Sequence, residues 1–250
     1  MTRSLIIGGT QGLGRAIAKR SIASKQQVII CARNVGDAPM DPDLRGATLC
    51  SVDVSKPNGL ERLFSRPTGW EDITHVFWTA GCFAEGSLTD TPEDVVRALT
   101  AVHYTGLVCN LAMLHRMLKQ ARPLANNPGR PYHLVVVSST SAWRARDGES
   151  VYASLCAAKS HFVRQFAREL VRELPGSRVT LVHPGGMNNP HFWAGTGRDT
   201  SAFMKADEVA STVLLRAEVQ SAAYDEYSIM RGNDGTLKQR NGPQEPERPF

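Results

Sequence analysis

The chain has 250 residues, of which 42% are hydrophobic and 21% charged, a globular balance with apolar material for one large core. Its formal net charge is +5, and the 29 Lys and Arg residues are spread rather than blocked, which disfavours nucleic acid as a partner and suits small anionic molecules. Cys31, Cys50, Cys82, Cys109 and Cys156 are scattered with no CxxC pair, which argues against a disulfide framework or a zinc site and predicts a reducing, cytoplasmic setting. The opening "MTRSLIIGGT" has too short an apolar run for a signal peptide, and no stretch reads as a membrane span.

Short β-branched runs alternate with helical patterns. "SLIIG" (4–8) reads as a buried strand and 12–24 as a helix. Strands follow at 27–31 and 47–52, then a short helix near 57–65 and a strand at 75–80. A long helix is predicted from Thr91 to Lys119, with Thr91 as N-cap, Pro92 at the first helical position and acids in the first turn. A fifth strand covers 132–139. Residues 151–174 form a helix whose Leu155, Phe162, Phe166 and Leu170 share an apolar face. A strand at 178–183, a helix at 206–218 and a strand at 226–230 complete the series. Such alternation predicts an α/β fold: a Rossmann-like, doubly wound, mainly parallel sheet with helices on both faces. Residues 1–236 read as one domain, and 237–250, rich in Pro, Gln and charge, as a flexible tail or docking arm.

The first strand runs into "GGTQGLG" and then a helix. Gly8, Gly12 and Gly14 are spaced GxxxGxG, a looser relative of the dinucleotide fingerprint GxGxxG. Amides at a helix start approach a pyrophosphate closely where no Cβ intervenes. Thr10, Gln11 and Leu13 complete that turn. The second strand ends in "CARN": Arg33 and Asn34 stand where an acid would hold a ribose 2′-hydroxyl. A guanidinium suits a 2′-phosphate, so NADP(H) is expected over NAD(H); a solvated surface arginine is the competing reading. Asp53, with Val54 beside it, reads as an adenine acceptor or a capping aspartate.

In order and spacing these motifs resemble the short-chain dehydrogenase/reductase family over residues 3–230. They are the glycine turn, Arg33, Asp53, "TAG" with Ala80 and Gly81, the "SS" pair thirteen residues before Tyr152, and "HPGGM" with Pro184, Gly185 and Met187. The resemblance implies one Rossmann domain that interconverts a carbonyl and an alcohol with a nicotinamide dinucleotide, often as a homodimer or homotetramer. It also implies that Tyr152 binds the cofactor and serves as the catalytic acid or base, and that Ser139 hydrogen-bonds the reacting oxygen.

Two members of the family's catalytic set are replaced. "VHYTG" puts His103 at an asparagine position, and "YASLC" puts Cys156 at the lysine position. The family lysine holds the nicotinamide ribose and lowers the phenol pKa, which is ordinarily about 10. Without it, oxidation should suffer more than reduction, because reduction uses the neutral phenol. Lys159, seven residues past Tyr152, falls on nearly the same helix face about 10 Å further on. It reads either as a substitute cation or as a solvated or interface lysine. His103 reads either as a hydrogen-bonding relay or as a packed histidine. Cys156 reads as inert packing rather than a nucleophile. In the "PGxxxT" turn, Asn189 stands where threonine is usual. Residues 188–204, with His191, Phe192, Trp193 and Phe203, are expected to cover an apolar or aromatic pocket, with Trp143 as another possible wall. The reading is thus an NADP(H)-dependent reductase of a small carbonyl; the alternative is a dinucleotide-binding sensor or partner subunit.

Overall fold

A computed structural model describes residues 2–33, 35, 41–65, 69–121 and 130–242. Its frame is an eight-stranded sheet, in spatial order β10-β9-β6-β5-β4-β1-β2-β3. The strands are β1 (Arg3–Ile7), β2 (Gln27–Ala32), β3 (Thr48–Ser51), β4 (His75–Trp78), β5 (His133–Val137), β6 (Arg178–Pro184), β9 (Tyr224–Arg231) and β10 (Leu237–Asn241). All neighbours pair in parallel except β9 and β10. A small parallel pair, β7 (Met187–Asn188) with β8 (Met204–Lys205), stands apart.

The strands are apolar because both faces are covered. Successive side chains point to opposite faces: Leu5 and Ile7 enter one core, Ile6 the other. One face carries α3 (Glu93–Thr100), α4 (Gly106–Gln120) and α5 (Ser150–Glu173); the other carries α1 (Gly12–Ala23) and α6 (Ala206–Val219), and the short α2 (Glu61–Phe64) adds Leu63 to the first core. Strand order reverses between β1 and β4, the place where open α/β sheets bind ligands.

The sequence reading needs four corrections. Pro92, not Thr91, occupies the N-cap of α3, and the Thr91 hydroxyl donates to the Ser87 carbonyl at 2.8 Å instead. The buried stripe of α5 is Tyr152, Cys156, Lys159, Ser160, Val163, Phe166, Ala167 and Leu170; Phe162 is half-buried and packs against the same core, and only Leu155 lies to its side, because the wall this helix meets includes the cavity as well as the sheet. Leu237–Asn241, read as the start of a flexible tail or docking arm, pairs antiparallel with β9 along the sheet edge. Residues 243–250 of that tail lie outside the described residues. Finally, Glu93–Gln120 is long and apolar enough to cross a membrane by length and composition alone. In the fold, its Leu99, Leu107, Leu111, Leu114 and Leu118 are buried.

A π-helical turn, Ala101–Thr105, joins α3 to α4 and carries His103. Such turns are rare and concentrate at functional sites. Asn110, fully buried, ties α4 to the segment between β3 and α2: its carbonyl accepts from the Leu60 amide at 2.8 Å, and its amide donates to the Lys56 carbonyl at 2.7 Å.

Candidate active site

A cavity of about 850 Å³ opens at the carboxyl ends of the strands. Its floor is the turn after β1, with Gly8, Thr10, Gln11, Leu13 and Gly14 on the wall. A Cβ at Gly14 would lie 2.3 Å from the Gly8 carbonyl oxygen and 2.4 Å from Thr79 Oγ1, so the helix start sits closer to the strand than any side chain permits. Gly12, off the wall, has φ +51°, and a Cβ there would meet Asn189 Nδ2 at 2.3 Å; Asn189 thus reaches across the cleft to the helix start. The amides of this turn suit a dinucleotide pyrophosphate.

Arg33, exposed, lines the far end, with Asp53 and the buried Val54. Asn34 lies outside the described residues. Asp53 Oδ1 accepts from the Ser55 amide at 3.0 Å and from its hydroxyl at 2.7 Å. Those bonds, with help from Arg33, hold its carboxyl below the usual range against desolvation. Asp53 is therefore a turn cap that also faces the cavity. Ala80, Gly81, Pro184, Gly185 and Met187 line the middle.

Ser139, Tyr152, His103 and Lys159 all reach the same cavity. Ser139 caps a 3-10 turn, Thr140–Ala142, its hydroxyl accepting from the Ser141 amide at 3.1 Å. The Ser138 hydroxyl donates to the Cys156 carbonyl at 3.2 Å and meets the Ser160 hydroxyl at 2.9 Å, so the end of β5 is fastened to α5. This fastening sets Ser139 beside Tyr152. Beside burial, the side chains of Ser139 and Cys156 act on the Tyr152 phenol. Burial pushes it well above the ordinary value of 10.0, Cys156 and Glu149 push the same way, and Ser139 pulls it down. None of these groups is a cation.

Lys159 is 2% exposed and donates to the Val137 carbonyl at 3.4 Å. Burial lowers its pKa, opposed by Cys156 and Cys82. It is neither solvated nor at a surface. His103 is 2% exposed, and its ring meets Tyr152 edge-on at 5.4 Å between centroids. Its Nε2 lies 2.6 Å from the Cys82 carbonyl oxygen and 3.2 Å from the Cys82 amide nitrogen, so the Cys82 backbone holds it in either tautomer, as donor to the carbonyl or acceptor from the amide. Its Nδ1 is buried with no hydrogen-bond partner among the described residues. Burial and nearby Lys159 push its pKa down from 6.5 to about 3. Near neutral pH it is an uncharged, fixed ring. Burial likewise raises the Cys156 thiol, which leaves it a poor nucleophile.

Several site residues escaped the sequence reading. Phe83, two positions past "TAG", packs edge-on against Tyr152 at 4.8 Å; its place after a cofactor motif was the available signal. Glu149, one turn before Tyr152 and 1% exposed, accepts from the Ser141 hydroxyl at 2.7 Å. Arg198 forks onto Glu85 at 2.8 and 2.6 Å and reaches Glu149 at 3.4 Å. His183, fully buried, has Nε2 2.8 Å from Glu226 and Nδ1 3.2 Å from the Ser139 carbonyl. Trp143 packs on His183 at 4.5 Å and is not among the residues lining the cavity. Among the described residues no group of His, Cys, Asp and Glu is arranged to hold a metal.

Comparison with known proteins agrees with this fold. A carbonyl reductase family member 4 from Xenopus tropicalis is 24% identical over 85% of this chain and 89% of its own length. A 1-deoxy-11-beta-hydroxypentalenate dehydrogenase from Streptomyces exfoliatus is 27% identical over 96% of this chain and 86% of its own. Among solved structures, a short chain dehydrogenase from Burkholderia cenocepacia in complex with NADP superposes with a TM-score of 0.74, at 22% identity over 93% of this chain and 98% of that one. A 3-ketoacyl-(acyl-carrier-protein) reductase from Brucella melitensis complexed with NADH gives 0.76, at 17% identity over 92% and 97%. The short chain dehydrogenase family model matches residues 3–198, and the chain belongs to that family.

Proposed function

We propose that this protein is an NADP(H)-dependent reductase that converts a carbonyl to an alcohol, with Tyr152 as the acid. The observation that carries the reading is a buried phenol, held protonated, beside the Ser139 hydroxyl in the cavity that ends at Arg33. The glycine turn would hold the pyrophosphate, Arg33 a 2′-phosphate, and Lys159 the nicotinamide ribose from one turn beyond the family position. When bound, the dinucleotide supplies the hydride. Ser139 donates a hydrogen bond to the carbonyl oxygen and orients it. Tyr152 delivers its proton to that oxygen as negative charge develops there. His103, neutral and held by the Cys82 backbone, fills the space beside the phenol without exchanging protons near neutral pH.

A second reading has its own support. With Cys156 at the lysine position and no cation among the groups acting most strongly on the phenol, the chain would bind the dinucleotide as a sensor or partner subunit. NADPH oxidation measured against a panel of aldehydes, ketones and quinones separates the two. Turnover that Tyr152→Phe abolishes supports the reductase. Tight NADPH binding with no turnover supports the binding protein.

We also read the chain as a cytoplasmic homodimer or homotetramer. The five cysteines, none of them in a disulfide among the described residues, fit a reducing compartment, and the apolar run Glu93–Gln120, only a third buried over its most apolar window, offers a face for a second copy. Sedimentation velocity tests the assembly.

A further inference from the structure

This inference rests on the reductase reading and names the substrate class of the same cavity. Its catalytic end is walled by rings from separate parts of the chain. Besides its edge-on contact with Tyr152, Phe83 stacks on Phe192 at 5.5 Å with 27° between planes. Trp193 packs against Phe83 at 4.8 Å and Phe192 at 5.2 Å, and Phe192 faces Tyr152 at 6.1 Å. The Trp193 indole N–H is already used, donating to the Met187 carbonyl at 2.8 Å, so what it offers a ligand is carbon surface.

The charges here are matched. Arg198 forks onto Glu85 and reaches Glu149, while lying 5.8 Å over the Phe83 ring and 5.5 Å over Trp193. Arg146, on the cavity wall, faces the buried Glu149 at 3.6 Å. Both guanidiniums are therefore engaged by carboxylates, and neither is left to bind a substrate carboxylate or phosphate. Aromatic faces and edges favour a flat π system over an aliphatic body of equal size.

We propose that the substrate is an uncharged carbonyl carried on a planar aromatic ring system, and that Phe83 and Trp193 select for it. A sugar, a hydroxy acid or a phosphorylated carbonyl leaves its polar groups against rings.

The test uses the full chain with NADPH and two aldehydes with the same number of ring carbons, benzaldehyde and cyclohexanecarboxaldehyde. The aryl aldehyde is the less electrophilic, so a preference for it comes from the site. The expected result is at least a tenfold higher kcat/KM for the aryl aldehyde. Phe83→Ala should raise its KM about tenfold and change kcat little, and Phe83→Leu, which keeps bulk and removes the π face, should do the same. Equal or better turnover of the cyclohexyl aldehyde overturns the substrate class and leaves the reductase standing. Where neither aldehyde turns over, calorimetry of 2-naphthalenemethanol with the NADP⁺-loaded protein decides. Binding weakened tenfold by Phe83→Leu supports the aromatic site while the reductase reading fails. Absence of binding overturns the aromatic site.

Discussion

Lys159 shares the buried stripe of α5 with Tyr152, one turn past Cys156, and its ammonium reaches the Val137 carbonyl at the end of β5. A lysine seven residues from the phenol thereby enters the cavity that the family furnishes from four residues away. The small Cys156 leaves the path open, and helical side chains lean toward the N-terminus.

Lys159→Met tests that placement. The ammonium's charge-assisted bonds to a bound ribose are worth about 1.5–3 kcal/mol, so kcat/KM for NADPH should fall about 10- to 100-fold. Replacing a buried charge by an apolar side chain of similar volume should leave the melting temperature unchanged or higher. Lower activity with equal or greater stability is the signature; full activity would remove Lys159 from the site.

The pH profile follows from the phenol. Because burial raises its pKa, Tyr152 stays protonated through the ordinary titration range near 10.0. The reductive kcat should therefore show no Tyr152 limb below that range. The reverse oxidation, which needs the phenolate, should rise about tenfold per pH unit up to it. A reductive rate that halves near neutral pH would mean another group supplies the proton.

His103 links the site to acid stability. Folded, it resists protonation down to about pH 3, whereas an exposed imidazole takes a proton near 6.5. The unfolded chain binds that proton and the folded chain does not. Stability contributed by the neutral ring is thus complete above 6.5 and falls as pH drops toward about 3, by about 1.36 kcal/mol per unit. His133, buried against Thr180 and also lowered to about 3, acts the same way. His103→Asn should flatten the curve of melting temperature against pH by roughly half between pH 6 and 4; an unchanged slope would show that other groups dominate.

Arg33→Ala should raise the KM for NADPH about 10- to 100-fold and leave that for NADH nearly unchanged, the cost of losing a charge-assisted phosphate contact. Equal effects on both cofactors would assign Arg33 to the adenosine in general.

Much of this was legible in one dimension. The strand at 4–8, the glycine turn and the following helix are local patterns, and local patterns fix local structure. Ser139 and Tyr152 were picked out through the family resemblance, by the "SS" pair thirteen residues before the tyrosine. Of the apolar face read over 151–174, Phe166 and Leu170 are core and Phe162 packs against it; what the reading lacked is that the inward stripe also includes a lysine and a serine. No periodicity announces that a lysine is buried. Nor does any pattern announce that Arg198 will clamp Glu85, 113 positions earlier.

The sequence by itself determined the order of strands and helices and the glycine turn after β1, because each depends on neighbours along the chain, while the family resemblance singled out Ser139 and Tyr152. It also determined that Cys156 stands where the family has lysine. Only the tertiary structure decided that Lys159 enters the cavity, that His103 is neutral and that Phe83, Phe192 and Trp193 close on the phenol. Those outcomes depend on burial and on groups from distant segments, and protonation and packing are set by the surroundings a residue acquires in space.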